Sequence, residues 1–251
     1  MFTFLHIPKT AGTTFRALLE NRFLPEQRHL YSPMKAVLEG RLGGLKGTES
    51  KLEAALSCRR GPQLVYGHMF AAWPEELWSR SLAVTFLRDP VERVLSNYFY
   101  RKEHGHFSRK AVSLEEYIRG QCDSFAMQCE ADNLQARLLS LNPYTARAVR
   151  FGRYSETMFA RAESALSKFA MVGLTEQFEK SISLFGKLGL GRFEYKAERH
   201  RVSTADPMRE NVAQAIREEI ALRNIFDARL YIMATRRFEN GCARFSELSR
   251  I

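Results

Sequence analysis

The chain has 251 residues, a length typical of one domain, and its 45% hydrophobic and 26% charged residues exclude an intrinsically disordered protein. Its formal net charge of +10 favours anionic partners without choosing among nucleotides, nucleic acids, acidic glycans and membrane surfaces. No stretch approaches the roughly 20 apolar residues of a membrane span, and the opening apolar run is too short for a secretory signal peptide. We therefore expect a soluble, cytoplasmic protein, although a domain cut from a membrane-anchored parent would look the same.

Strand and helix patterns alternate along the chain. Four apolar runs predict strands, namely FTFLHI, QLVY, LAVTFL and FAMVGL. Helical spacing predicts helices over GTTFRALLENRFL, RDPVERVLSNYFYRKE, most of residues 113–168, TEQFEKSISLFGKLGL and residues 208–238. Residues 39–62 and 191–207 predict loops, the first with a short helix at ESKLEAALS. The alternation predicts an α/β fold, a parallel sheet flanked by helices, in a single domain over residues 1–251.

Neither a metal site nor a nucleic-acid site is expected. The four cysteines show no C-x-x-C spacing, and His104 and His106 have no carboxylate or cysteine array beside them. Tyr98 and Phe99 belong to the basic, aromatic run after the third strand, but helical spacing places them on the buried face of their helix. Packing therefore explains these aromatic residues without base stacking.

The turn after the first strand, PKTAGTT, has the composition of an anion-binding loop. A turn that enters a helix presents main-chain N–H groups and the positive end of the helix dipole to a ligand. Gly12 permits close backbone approach, and Lys9 adds an ammonium group. The candidate phosphate-binding residues are Lys9, Thr10, Ala11, Gly12, Thr13 and Thr14. An ordinary strand-to-helix turn capped by threonine is the alternative.

A P-loop-like kinase of small molecules or nucleotides is a second functional hypothesis. The nucleotide-hydrolase loop needs a lysine directly after its second glycine, whereas Lys9 precedes the one glycine of this loop. Asp89 ends the third strand, where a kinase would hold magnesium, but it also precedes Pro90 at a helix start. With Glu92 three residues on, the spacing favours a capping box.

Two segments, FLHIPKTAGTTF and FLRDPVERVLSNYFY, resemble the signature segments of sulfotransferases that use 3′-phosphoadenosine 5′-phosphosulfate (PAPS). The pair is most similar to the carbohydrate branch that includes heparan sulfate 2-O-sulfotransferase. Weaker similarity continues through YGHMF, DNLQARLLS, MVGLTEQFE and NIFDARLY, so the resemblance covers most of the chain. It implies the sulfotransferase fold, similar to P-loop nucleotide-binding proteins, and sulfuryl transfer from PAPS to a hydroxyl of an oligo- or polysaccharide without a metal.

The resemblance also implies roles for individual residues. The loop over residues 9–14 would bind the 5′-phosphosulfate, and Lys9 would stabilise the charge that develops on the leaving oxygen. His68, in YGHMF, would be the catalytic base, a role suited to an imidazole that titrates near neutrality. Without the resemblance, a lone histidine after a strand is more often structural.

For the 3′-phosphate, the resemblance implies Arg88 and Ser96, which lie about two helical turns apart. The alternative for Arg88 is an ion pair with Asp89 or Glu92. Arg201 and Ser203, in the basic segment RHRVST, are further cofactor-binding candidates, with a solvated loop as the alternative.

The sequence departs from the pattern of the heparan-type enzymes at two positions. His6 stands where that branch usually has arginine, and Tyr66 stands where it usually has a second histidine. Both positions are near the acceptor, so the departures leave donor binding intact but put a uronic acid acceptor in doubt. A non-catalytic anion-binding protein is a third hypothesis, against which the presence of Lys9 and His68 argues.

Overall fold

The computed structural model describes residues 1–38, 40–41, 43–58, 60–72, 75–107, 112–122, 124–194 and 211–248. The strands in this part of the chain are β1 (Phe2–Leu5), β2 (Arg28–Leu30), β3 (Leu64–Gly67), β4 (Leu82–Leu87) and β5 (Met171–Leu174). They form one sheet in the order β2-β3-β1-β4-β5, and every neighbouring pair is parallel. The predicted α/β fold with a parallel sheet flanked by helices is confirmed.

Helices connect and flank the strands. They are α1 (Gly12–Arg22), α2 (Met34–Leu38), α3 (Gly43–Ser57), α4 (Glu75–Ser79), α5 (Pro90–Glu103), α6 (Leu114–Ile118), α7 (Phe125–Ala131), α8 (Leu134–Ser140), α9 (Glu156–Lys168), α10 (Phe178–Phe185), α11 (Gln214–Arg223) and α12 (Ile225–Leu248). Short 3₁₀ turns cover Pro25–Gln27, Ala146–Ala148 and Thr175–Gln177, and a π-helical turn covers Gly186–Leu190.

The four predicted strands are present, and the sequence analysis missed one. The strand β2 has three residues, RHL, and lies at the edge of the sheet beside β3. Its residues are half-buried or exposed, so they carry no apolar run of the kind that marks the central strands. By contrast, every residue of β1, β3 and β5 is buried.

The glycine-rich segment after α2 is more helical than its composition predicts. The short helix expected at ESKLEAALS extends back to Gly43 as α3. Glycine lowers helix propensity by about 1 kcal/mol per residue, which is why the segment read as a loop. Leu45 and Leu52, two helical turns apart, are both 1% exposed, and their burial in the core outweighs that propensity.

The start of α5 has one of the two hydrogen bonds of the predicted capping box. The carboxylate of Asp89 accepts a hydrogen bond from Glu92 N at 3.0 Å, so the predicted N-cap is confirmed. A complete capping box would also have Asp89 N donating to the carboxylate of Glu92, but Asp89 N donates to the carboxylate of Glu176 at 3.1 Å. Glu92 instead pairs with Arg217 of α11 at 2.8 Å.

The carboxyl ends of the central strands meet at one edge of the sheet. Leu5, the last residue of β1, pairs with Gly67 of β3 and Thr85 of β4, and Leu87 of β4 pairs with Leu174 of β5. The segments that follow these strands therefore lie along a common rim, which is where ligands bind in open parallel α/β sheets.

Candidate active site

The loop between β1 and α1 has the backbone of an anion-binding nest. Lys9 and Ala11 have positive φ values of 68° and 60°, which turn successive main-chain N–H groups toward one side. Ala11 is the N-cap of α1 and has no side chain that could cap the helix. The N–H groups of the first turn of α1 therefore remain available to an anion, next to the positive end of the helix dipole.

The three threonines of the loop occupy different environments. Thr10 is fully buried, and its hydroxyl donates to the carbonyl of Ile7 at 2.9 Å, so this side chain stabilises the turn. Thr13 is exposed and lines the neighbouring cavity, and Thr14 is half-buried. Of the three hydroxyls, that of Thr13 is the most accessible to a ligand, whereas that of Thr10 is bonded within the turn.

Gly12 is required by a side chain of the protein itself. A Cβ at this position would lie 1.9 Å from Cδ2 and 2.2 Å from Nε2 of His6. The close backbone approach that the sequence analysis assigned to a phosphate is thus made by the imidazole of His6. This ring is 7% exposed, stacks on Phe4, and lies 4.2 Å from the ring of His68, measured between centroids.

His68 is held in one tautomer by the main chain. Its Nδ1 donates to the carbonyl of His6 at 2.6 Å, which leaves the lone pair on Nε2. The main-chain N–H of His68 donates to Ser32 Oγ at 3.0 Å, so the position of the residue is also fixed. Burial is the largest cause that lowers the pKa of His68 below its ordinary value. A neutral, oriented imidazole of this kind is able to take up a proton at Nε2.

Burial lowers the pKa of His6 further than that of His68. Burial lowers the pKa of His6 well below its ordinary value, and the nearby positive groups of His68, Arg16 and Lys9 lower it further. His6 is therefore neutral at physiological pH, and its ring serves as packing beside His68. His6 therefore does not supply the positive charge of the arginine that the heparan-type enzymes usually have at this position.

A cavity of about 600 Å³ opens beside the loop and reaches His68. Its lining is rich in basic side chains and includes Lys9, Lys35, His68, Arg101 and Glu130. Tyr100 also lines it, and Lys9 Nζ lies 4.0 Å from the centroid of the Tyr100 ring in a cation–π contact. The cavity thus places the loop lysine and the exposed side of the histidine pair against one common space.

Glu130 forms the acidic part of the cavity wall, and α5 holds it along three turns. Arg93 donates to its main-chain carbonyl, and Asn97 Nδ2 donates to its Oε2 at 2.7 Å. Arg101 adds two bonds, Nε to Oε2 at 2.6 Å and Nη2 to Oε1 at 2.7 Å. The carboxylate also raises the pKa of His68, against the larger effect of burial.

The sequence analysis missed this cluster on α5 and α7. Its signal was present, because Arg93, Asn97 and Arg101 recur every four residues and so share one face of the helix. Their partner Glu130 lies in another helix, and no local pattern pairs it with them.

Arg88 lies directly beyond the end of β4, next to the loop. Its Nη1 donates to the carbonyl of Lys9 at 3.0 Å, so the guanidinium and the loop are in contact. Its Nε also lies 4.0 Å from the carboxylate of Glu176, an acidic partner that the sequence analysis did not consider. Ser96 is 6% exposed in the second turn of α5. Arg201 and Ser203 lie outside the described residues.

Among the residues that the structure describes, no group of three or more histidine, cysteine, aspartate or glutamate side chains is placed to hold a metal ion. The described helices include none with the length and apolar character needed to cross a bilayer.

Comparison with known proteins then identifies the family. No curated protein matches the chain. A family model described as the sulfotransferase family matches residues 1–232, which is most of the sequence and includes the loop, His68, Arg88 and every strand. The kinase alternative is accordingly wrong. The chain belongs to the sulfotransferase family, and the protein is a sulfotransferase.

Proposed function

We propose that this enzyme transfers the sulfuryl group of PAPS to a hydroxyl of a carbohydrate acceptor. The observation that supports the donor most directly is the contact between two cationic sites, in which Arg88 Nη1 donates to the carbonyl of Lys9 at 3.0 Å. PAPS carries a 5′-phosphosulfate and a separate 3′-phosphate, so it needs two adjacent anion sites. The nest at residues 9–14 suits the first, and Arg88 with Ser96 suits the second.

The residues present fit the proposed chemistry. When bound, PAPS supplies the sulfuryl group, and adenosine 3′,5′-bisphosphate is the leaving group. His68 Nε2 takes the proton of the acceptor hydroxyl while the oxygen of that hydroxyl bonds to sulfur. The bond from sulfur to the bridging phosphate oxygen breaks, and the ammonium of Lys9 stabilises the negative charge left on that oxygen. The bond from His68 Nδ1 to the His6 carbonyl keeps the base in the correct tautomer.

The cavity supports an acidic sugar polymer as acceptor. Among the described residues of its wall, Lys9, Lys35 and Arg101 carry three positive charges against one carboxylate, that of Glu130. A carbohydrate acceptor, as in the heparan sulfate 2-O-sulfotransferase branch that the sequence resembles, presents hydroxyls together with carboxylates or sulfates. The positive wall attracts such groups, and the loss of one arginine at His6 leaves these other cations in place.

Tyr66 takes no part in this proposal. Its hydroxyl donates to Glu20 at 2.7 Å, and the guanidinium of Arg16 lies 5.3 Å from the centroid of its ring. The hydrogen bond to Glu20 raises the pKa of the Tyr66 hydroxyl in addition to the effect of burial. A tyrosine with these partners is not a base, so position 66, where the heparan-type enzymes usually have a second histidine, supplies no base in this proposal.

The test is a transfer assay with the full chain, labelled PAPS and a panel of acidic and neutral oligosaccharides. We expect label in the acidic glycans, no magnesium requirement, and no transfer by Lys9→Ala. Lys180→Ala is a matched control, because Lys180 lies on α10, where its ammonium donates to Gln177 Oε1 at 3.3 Å. Label confined to neutral glycans would contradict the acceptor class. Equal affinity for adenosine 3′,5′-bisphosphate and adenosine 5′-monophosphate would contradict the donor.

A further inference from the structure

The side-chain carboxamide of Gln135, in α8, forms hydrogen bonds with both the N–H and the carbonyl of the Arg88 main chain. Its Nε2 donates to the carbonyl of Arg88 at 2.9 Å, and its Oε1 accepts from the N–H of Arg88 at 2.9 Å. The side chain of Gln135 is fully buried. One carboxamide thus satisfies both main-chain groups of the residue that carries the guanidinium.

Arg88 needs these two bonds because it lies just beyond the sheet. The register of β4 with β5 ends at Leu87, opposite Leu174. The next residue has no neighbouring strand to pair with, and a partly buried main chain without partners is costly. Gln135 takes the place of the missing strand and so fixes where the Arg88 side chain leaves the rim.

Gln135 is itself held by a second set of buried contacts. The carboxylate of Asp227, in the first turn of α12, accepts from Gln135 N at 3.2 Å and from Ala136 N at 2.7 Å. In return, Asn133 Oδ1 accepts from Asp227 N at 3.1 Å and from Phe226 N at 3.0 Å. The starts of α8 and α12 therefore cap each other, and Asp227 is fully buried. This anchorage gives the carboxamide a fixed position.

We propose that Gln135 is a positioning residue for the 3′-phosphate site, which it serves by fixing the main chain of Arg88. The inference rests on the proposed function, since it assumes that Arg88 receives the 3′-phosphate. Because the side chain of Gln135 is fully buried and bonds to the Arg88 main chain, its effect reaches the ligand through Arg88.

The experiment compares two nucleotides by calorimetry, with the full chain and no acceptor. Gln135→Met keeps the size of the side chain and removes both bonds. We expect its affinity for adenosine 3′,5′-bisphosphate to fall roughly 10-fold or more, with little change for adenosine 5′-monophosphate. Gln128→Met is the matched control, because the Gln128 carboxamide also donates to a main-chain carbonyl, that of Cys122, at 3.0 Å. Gln128→Met should show the same ratio of bisphosphate affinity to monophosphate affinity as the wild-type protein.

A second background separates positioning from a general loss of structure. In an Arg88→Met protein, Gln135→Met should reduce bisphosphate affinity no further, because its effect acts through the arginine. If Gln135→Met does not fold, Gln135→Asn, one methylene shorter, should give a smaller fall in the same ratio.

The possible failures are distinguishable. A wild-type protein that does not prefer the bisphosphate overturns the proposed 3′-phosphate site and the inference with it. A wild-type preference that Gln135→Met retains, or an equal loss for both nucleotides, overturns the role of Gln135 and leaves the proposed function standing.

Discussion

Replacing Gly12 by alanine tests the contact on which the candidate site is built. The added Cβ would lie 1.9 Å from Cδ2 of His6, whereas non-bonded carbons normally approach to about 3.5 Å, so the ring must move by roughly 1.5 Å. It has little room to do so, because the ring of His68 lies 4.2 Å away and Phe4 stacks on it at 5.5 Å, measured between centroids.

Two effects of opposite sign compete in this substitution. Alanine favours a helix over glycine by about 1 kcal/mol. Overpacking a rigid site costs about 1–3 kcal/mol, and an overlap this large falls toward the upper end. We therefore expect a net loss of about 2 kcal/mol, and the melting temperature should fall by roughly 4–8 °C for a chain of this size.

The assay is thermal unfolding of Gly12→Ala beside Gly47→Ala. Gly47 lies within α3, and a Cβ there would meet no atom within 4 Å, so only the propensity term acts. The control should gain up to about 1 kcal/mol and melt roughly 2–4 °C higher. If Gly12→Ala is stabilised like its control, the packing of His6 against the loop is not as described, and the reasoning is refuted.

Four further predictions concern the base His68, the cap formed by Asp227 and the turn held by Thr10. Because burial lowers the pKa of His68 below 6.5, turnover should stay level from about pH 8 to 6.5 and fall only at lower pH, where the imidazole takes up a proton. His68→Ala should lower turnover by roughly 10²–10⁴-fold and leave donor affinity nearly unchanged. A loss of donor affinity of similar size, measured by calorimetry, would count against the role of His68 as the base. Asp227→Ala leaves two buried N–H groups without their acceptor, so unfolding in urea should show a loss of about 2 kcal/mol or more, and an unchanged midpoint would contradict the mutual cap. Thr10→Val should cost about 1 kcal/mol in the same assay, while the exposed Thr13→Val should cost less than half of that.

Local patterns were sufficient for the elements that carry their own signal. The apolar runs of β1, β3, β4 and β5 predicted strands because parallel strands are buried on both faces. The short edge strand β2 has no such run, and the glycines of α3 concealed a helix that burial stabilises. In the C-terminal stretch the pattern predicted continuous helix, but α11 and α12 meet at Asn224, whose side chain donates to the carbonyl of Ala131 at 3.0 Å.

By itself, the sequence determined the alternation of the four central strands with helices, the anion-binding loop and the paired motifs that indicate a sulfotransferase. Each of these features has a local signal, contained in a single strand, turn or motif. Only the tertiary structure decided that Gly12 accommodates His6, that the His6 carbonyl orients His68 across 62 positions, and that Gln135 holds Arg88 across 47. Such contacts depend on how the elements pack in three dimensions, and no spacing along the chain specifies them.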